Sequence, residues 1–229
     1  MFSKLYNWLD DRERRFRHSF GKDISTPAER RKSKLHYYLM DHAILRTFWT
    51  NFDEVAPGVY RSNHPTHARL AKYRDMGIKT VLNLRGEESF AHYLFERESC
   101  EELGLTLHTA KLWARRAPER ENVLRVIDLF RTIDKPFVMH CKSGADRAGF
   151  ASAMYLMVIE GRPVEEAKKH LSLRYIHLKN TKTGVLDRIL DVYQLRNAKE
   201  PIGFEDWIRT EYDNLAIQTA FRAGEPARL

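Results

Sequence analysis

Pro136-Phe137-Val138-Met139-His140-Cys141-Lys142-Ser143-Gly144-Ala145-Asp146-Arg147-Ala148-Gly149 is the stretch whose reading decides the fold. It opens as a short apolar run after Pro136, the pattern of a buried strand. It runs on into Phe150-Ala151-Ser152-Ala153-Met154-Tyr155-Leu156-Met157-Val158-Ile159, a helix packed on most sides. A tight loop between a strand and a helix gathers backbone N–H groups around a point, and the positive end of the helix faces the same point. The stretch therefore predicts an anion cradle at the end of a central strand.

Each residue type in that loop has a chemical use. Cys141 lies where the positive field favours thiolate, and its pKa is expected in the range of about 3.5–7.5 seen for activated cysteines. A thiolate is a strong nucleophile towards phosphorus. Arg147, six positions on, returns to the loop mouth, where its planar fork suits two phosphate oxygens and the charge of a transition state. Gly144 lets the backbone turn its N–H inward, and Gly149 lets the helix start close to the strand. His140 can order the loop through a backbone hydrogen bond. Ser143, Gly144 and Ala145 offer loop N–H groups to an anion, and Lys142 adds charge. The bland alternative, a buried structural Cys beside a surface Arg, needs neither the preceding His nor the Gly three residues on.

His-Cys-x5-Arg is the signature loop of the cysteine-dependent protein tyrosine and dual-specificity phosphatases, and the sequence resembles that superfamily, in particular its bacterial dual-specificity-like members. His140, Cys141, Gly144, Arg147 and Gly149 match the loop. Tyr60-Arg61-Ser62 and Gly77-Ile78-Lys79-Thr80-Val81-Leu82-Asn83-Leu84-Arg85 precede it in the family's order, so the resemblance covers about residues 55 to 195. It implies a central, mainly parallel α/β sheet flanked by helices, with attack by Cys141, a phosphocysteine intermediate, and no metal or cofactor.

Two departures affect the chemistry. The family usually carries Ser or Thr directly after the Arg to stabilise the leaving thiolate; here Ala148 stands there, and Ser143 is the nearest substitute. Most members also place an acidic Asp on an upstream loop. Lys111-Leu112-Trp113-Ala114-Arg115-Arg116-Ala117-Pro118-Glu119-Arg120-Glu121 contains none. The leaving group still needs a proton. Asp146 is the first candidate, in an arrangement resembling myotubularin-type lipid phosphatases. Glu119 is the second and Glu121 the third. The alternative for Asp146 is a loop carboxylate that pairs with a cation or caps the helix.

The formal net charge of +8 favours anionic partners. Cys100 and Cys141 are the two cysteines, too few and too separated for a disulfide framework, which suits a reducing compartment. Cys100 falls on a helix face, and a redox pairing with Cys141 is the minor reading. No signal peptide or spanning run is evident, so the expected location is cytoplasmic, possible membrane contact being peripheral and on the inner surface. His64 and His67 are three apart on an expected helix, with no further ligand evident and no metal expected.

Residues 1–50 read as a basic helical extension, with 11 Lys and Arg against 6 Asp and Glu. Phe2, Leu5, Tyr6 and Leu9 recur at helical spacing. Thr26 and Pro27 read as cap and first residue of a helix running to about Trp49. Packing of its aromatic face on the core is preferred to binding of acidic lipid headgroups, and no nucleic-acid motif is present. Residues 51–198 form the catalytic domain: a turn and strand at Val55 to Ser62, a helix at Pro65 to Met76, a strand at Ile78 to Leu84, a helix at Glu87 to Leu103, a strand at Leu105 to Thr109, and a helix at Glu119 to Ile133. Arg85 closes a strand where open α/β sheets place their sites; it either faces substrate or makes a structural ion pair. Lys111, Arg115, Arg116 and Arg120 give the following loop a basic rim, with Trp113 as stacking wall or packing residue. Arg174, Tyr175, His177 and Lys179 are expected at the pocket edge. Residues 199–229 read as a helical tail packed on the domain.

The sequence thus predicts a cysteine-dependent phosphomonoesterase with Cys141, Arg147 and Asp146 catalytic. His140, Lys142, Ser143, Gly144, Ala145, Arg85, Arg115 and Arg116 are expected around the substrate. Phosphotyrosine or phosphoserine/threonine proteins are the first substrate class. A phospholipid or lipid-A-like phosphate is the alternative, and a phosphate-binding pseudophosphatase is the reading from a different class. Rhodanese-like and arsenate-reducing chemistry fits the upstream blocks poorly.

Overall fold

The computed structural model describes residues 21–228. The expected helical face of Phe2, Leu5, Tyr6 and Leu9 lies outside the described residues.

Five strands, β1 (Asp53–Ala56), β2 (Val59–Ser62), β3 (Thr80–Asn83), β4 (Thr106–Thr109) and β5 (Phe137–His140), form one sheet in the order β1-β2-β5-β3-β4. β1 and β2 are an antiparallel hairpin turned at Gly58; every other pairing is parallel. The mainly parallel α/β sheet expected from the sequence is therefore present. β5 is central: Val138 pairs with Val81, Met139 with Leu82, and His140 with both Asn83 and Ser62. Alternation along the strands sorts their side chains between two cores. Phe137, Met139 and Leu82 join the larger core, whereas Val138 and Val81 join the smaller one. A strand buried on both faces has no polar side to show, which is why 137–139 reads as a continuous apolar run.

The smaller core is closed by α2 (His67–Asp75) and α3 (Ala91–Leu103) through Leu70, Tyr73 and Cys100. The larger is closed by α4 (Arg120–Thr132), α5 (Asp146–Val158), α7 (Val185–Lys199), α8 (Phe204–Thr210) and α9 (Asn214–Arg222), with a short α6 (Val164–Ala167) between α5 and α7. α4 shows its core stripe in Val123, Val126, Ile127 and Phe130, all buried. α5 is buried continuously from Ala148 to Leu156, as its small and apolar composition predicts. The tail contributes Phe204, Trp207, Ile208 and Tyr212 to the same core.

Several helix boundaries are corrected. α1 (Pro27–Leu35) starts as expected, with Thr26 Oγ1 accepting from Glu29 N–H at 3.2 Å, but it stops well before Trp49. A π turn at His36–Met40 and a 3-10 turn at Leu45–Thr47 follow, and His42 and Asn51 take positive φ. The reason is tertiary. Tyr37 and Ala43 pack on Ala91 and Phe95 of the domain, and Asp41 turns inward to meet cations there. The helix expected from Glu87 begins at Ala91, and the one expected from Pro65 begins at His67.

Candidate active site

The loop between β5 and α5 is held from outside by its carbonyls. Lys142 O accepts from His64 N–H at 3.2 Å. Ser143 O accepts from Asn51 Nδ2 at 2.9 Å. Gly144 O and Ala145 O accept from the Arg61 guanidinium at 2.5 and 3.3 Å, and Ala145 O also accepts from Gly149 N–H at 3.0 Å. With four successive carbonyls turned outward, the N–H groups of Lys142, Ser143 and Gly144 have no acceptor among the described residues. This is the backbone arrangement of an anion nest.

Glycine is required at two points. Gly144 has φ +73°, and a Cβ there would sit 2.6 Å from Asn63 N and 2.8 Å from Ser62 C. A Cβ on Gly149 would meet His170 O at 2.5 Å, so the close approach at Gly149 is to the segment after α6 and not, as expected, to the strand.

Arg61 anchors the loop. It is fully buried, reaches His170 O at 2.9 Å besides the two loop carbonyls, and stacks on Tyr175 at 3.7 Å. Burial pulls its pKa down to about 10, which leaves it cationic at neutral pH. Asn51, at φ +47°, donates to Ser143 O and to Tyr175 O at 2.8 Å. Neither role was assigned from the sequence. Arg61 lay in a recognised block with no function attached, and Asn51 signals its role only through its backbone angle.

Cys141 is the first loop residue and is almost wholly buried. Arg147 stands on the first turn of α5, its Nε buried without a protein partner; burial lowers its pKa and Cys141 opposes that shift. A buried, unpartnered guanidinium nitrogen on a residue that shares a cleft with Lys142 and Ser143 of the loop fits a phosphoryl group. A cleft of about 990 Å³ opens here, lined by Lys142, Ser143, Asp146 and Arg147 of the loop, by Arg85, and by Trp113, Arg115 and Arg116 of the basic loop. Most expected substrate contacts are thus brought together. His140 is not among them. It is fully buried, with Nδ1 3.3 Å from Cys141 O and Nε2 2.5 Å from Glu96 Oε1, so it supports the loop and offers no surface to substrate. Gly144 and Ala145 are also buried and can present only backbone.

Arg85 makes the structural ion pair and still borders the cleft. Its two terminal nitrogens reach Asp41 at 2.8 and 3.1 Å. Asp41 also meets Arg46 at 2.8 Å and Lys142 at 3.5 Å. Burial opposes ionisation of Asp41, but Arg85 and Arg46 hold its carboxyl well below the usual range. Residues His42, Leu45, Arg46 and Trp49 line the cleft, so the extension builds one wall of the site.

The expected proton donors are poorly placed for that task. Asp146 Oδ1 lies 2.8 Å from His177 Nδ1, and His177 Nε2 lies 2.6 Å from Asp187 Oδ2. An imidazole flanked by carboxylates on both nitrogens must donate from both, which only the imidazolium can do. Burial alone would lower the His177 pKa, but the bonds to Asp146 and Asp187 raise it to about 9. Glu119 stands at the N-cap position of α4 without a side-chain cap bond, pairs with Arg116 at 3.3 Å and is absent from the cleft lining. His177 is a structural bridge, not a rim residue, and Arg174 and Tyr175 line a separate depression with Asp53.

One buried group has metal-ligand chemistry. Ligand-capable atoms of His64, Glu96 and His140 lie within 4.8 Å of one another. His67, the expected neighbour of His64, instead faces Glu102 at 3.6 Å. Two ligands on a tetrahedral zinc at about 2.05 Å would stand about 3.3 Å apart. The 2.5 Å approach of His140 Nε2 to Glu96 Oε1 is too close for that and is a direct contact of the two side chains, with Asn83 Nδ2 donating to Glu96 Oε2 at 2.6 Å. Cys100 is buried on α3, and burial pushes its thiol up to about 12, which disfavours a redox role.

Residues 55–161 match the family described as "Polymorphic toxin system, DSP-PTPase phosphatase". A curated relative, the dual specificity protein phosphatase TpbA of Pseudomonas aeruginosa, is 29% identical over 113 residues. That match covers 48% of this chain and 48% of the relative, so the chain spans about half the length of the curated protein it resembles. The crystal structure of TpbA has a TM-score of 0.49 at 21% identity, covering 65% of this chain and 91% of that one. A crystal structure of a Tk-PTP variant has a TM-score of 0.50 at 20% identity, covering 65% of this chain and 97% of that one, and shares the fold. The strand–loop–helix around Cys141 and Arg147 lies on this sheet and within the matched region, and over residues 55–161 the chain is similar to the dual-specificity phosphatases of the protein tyrosine phosphatase superfamily.

Proposed function

We propose that the chain hydrolyses phosphomonoesters through a phosphocysteine intermediate, with phosphorylated protein side chains as the first substrate class and phosphotyrosine foremost among them. The single observation that carries this reading is the loop itself: outward carbonyls leave N–H groups free beside Cys141, and Arg147 brings a buried, unpartnered nitrogen to the same place. The Cys141 thiolate attacks phosphorus in line. The loop N–H groups and the Arg147 fork hold the phosphoryl oxygens as charge spreads over them. Water then attacks the phosphocysteine and returns the thiolate. The name of the curated relative, a dual specificity protein phosphatase, supports the protein class.

A second reading, a multiply charged phosphate such as an anionic phospholipid, is favoured by the cations of the cleft wall, Arg85, Arg115, Arg116 and Lys142. The test is phosphate release from a phosphotyrosine peptide and from an anionic phospholipid monoester, side by side. Cys141→Ser is expected to abolish either activity, and the faster substrate selects the class. Phosphate analogues that bind while neither substrate turns over would move the reading to a phosphate-binding pseudophosphatase.

A further inference from the structure

An ester oxygen leaving phosphorus takes up a proton, and the carboxylates of the cleft are poor sources of one. Among the described residues two line it, Asp146 and Glu88. Asp146 accepts from an imidazolium that is itself clamped on its far side by Asp187, so a proton placed on Asp146 competes with that bond. Glu88 Oε2 lies 3.0 Å from His92 Nε2. Burial and Arg85 lower the pKa of His92, so a neutral ring donates to Glu88. Burial opposes ionisation of Glu88, but that hydrogen bond, with Arg85 and Lys111, holds its carboxyl below the ordinary range. At neutral pH Glu88 carries no proton to give. Lys142 does. It follows Cys141 directly and stands half-buried in the cleft lining. Its carbonyl is fixed by His64 N–H at 3.2 Å, so its side chain starts at the edge of the anion nest. Asp41 is already bonded by Arg85 and Arg46, each at 2.8 Å, and its contact with Lys142 Nζ is longer, at 3.5 Å. Burial lowers the Lys142 pKa; Asp41 opposes this, and Arg85 and Arg46 add to it. Lys111, the other lysine of the cleft, is exposed.

We propose that Lys142 is the proton donor of this site, which deepens the phosphomonoesterase reading and rests on Cys141 as its nucleophile. The Sγ electron pair forms the S–P bond. The ester P–O bond breaks, and its electron pair, now on the leaving oxygen, takes a proton from the Lys142 ammonium. The product departs as a neutral phenol or alcohol, and Lys142 is left as an amine. Water then forms a P–O bond as S–P breaks. The S–P pair returns to Sγ, and the water proton passes to the Lys142 amine, which restores the ammonium. One side chain thus gives and recovers one proton in each turnover. A lysine does this work when its surroundings weaken its hold on the proton. Here Arg85 and Arg46 disfavour the ammonium, while Asp41 favours its return.

The experiment uses the full chain and a series of aryl phosphates graded in leaving-group pKa, from strongly acidic phenols up to the phenol of tyrosine at about 10. Release is read as kcat/KM, with Cys141→Ser as the blank. The slope against leaving-group pKa reports the donor, and it does not depend on what fraction of a variant folds. The unaltered chain should give a nearly flat series. Lys142→Arg keeps the positive charge on a group that does not give up its proton. It should lose no more than about 3-fold on the most acidic phenol but about 100-fold on phosphotyrosine, the worth of an acid catalyst. Lys142→Gln should show the same slope, displaced downward by loss of the charge. A steep series from the unaltered chain overturns the proposal, and so does an equal loss on every substrate in Lys142→Arg, which would describe a charge contact alone. Asp146→Asn, Glu88→Gln and His42→Gln read the rival groups of the cleft. A slope that steepens in one of them and stays flat in Lys142→Arg also overturns it. All three of these outcomes leave the phosphomonoesterase reading standing, whereas no Cys141-dependent release from any aryl phosphate sinks both.

Discussion

Replacing His177 with Gln should remove a large, pH-dependent part of the stability. His177 is buried between Asp146, at the start of α5, and Asp187, in the first turn of α7, so it ties two helix N-termini together behind the loop. Its pKa stands at about 9, raised by those carboxylates above the ordinary 6.5. The difference of 2.5 corresponds to about 3 kcal/mol of stabilisation by the bound proton. Because the folded value is the higher one, this contribution is complete below pH 6.5 and disappears as pH rises through 9. Chemical denaturation of the two chains at pH 6 and pH 10 is the assay. The unaltered chain should lose about 3 kcal/mol between them, or roughly 6–12 °C in melting temperature for a chain of this size, relative to His177→Gln. Equal slopes for the two chains would refute the reasoning, because a neutral His177 could not satisfy both carboxylates and the bridge would not depend on its proton.

Four further outcomes are expected. Asp41→Asn leaves Arg46, Arg85 and Lys142 facing one another without their shared carboxylate, and should cost about 3–5 kcal/mol in denaturant titrations, with activity reduced in whatever folds. Gly144→Ala places a Cβ against Asn63 N at a positive φ; displacement of the loop by even a fraction of its close contacts should lower kcat by about 100-fold, read on a phosphotyrosine peptide, with a stability cost of about 1–3 kcal/mol. Arg61→Lys keeps the charge but loses the fork to Gly144 O and His170 O, and should lower kcat more than it changes KM. Cys100, buried and with its thiol pushed up to about 12, should resist alkylation at pH 8 in the native chain and react only on unfolding, measured by mass spectrometry of the labelled peptides.

The parts of the fold that were legible in the sequence are those with local signals. The apolar run before Cys141 and the small-residue helix after it mark β5 and α5 because both are buried on most sides. The apolar stripe of α4 and the cap of α1 at Thr26 are equally local. What was not legible depends on partners distant in sequence. Asp41 is the sole acidic residue between Glu29 and Asp53, and nothing nearby tells that Arg85 and Lys142 converge on it. Glu96 sits on a helix face like any exposed glutamate until the fold brings His140 and Asn83 against it. Asp146 shows the same limit from the other side. Its place beside Arg147 suggested an acid, and only the return of His177 from 31 residues downstream shows that the carboxylate already has a cation.

The same reasoning relocates the basic charge of the extension. A run such as Arg30-Arg31-Lys32-Ser33-Lys34 offers, from sequence, a surface for acidic headgroups as the alternative to packing on the core. In the fold, Arg30 pairs with Glu98 and lies 5.5 Å over the Phe95 ring, Lys32 meets Glu29 at 2.7 Å, and Arg46 is buried on Asp41. These charges are matched within the chain and contribute to docking the extension on α3. Desolvated or paired cations attract an external anion weakly, since their field is already compensated nearby. Arg115, Lys111 and Arg222, at the cleft, make no ion pair among the described residues, although Lys111 also acts on Glu88. An anion entering the cleft therefore meets unpaired rim cations on the way to Arg147, and under the proposed mechanism the same charges that bind it also orient it.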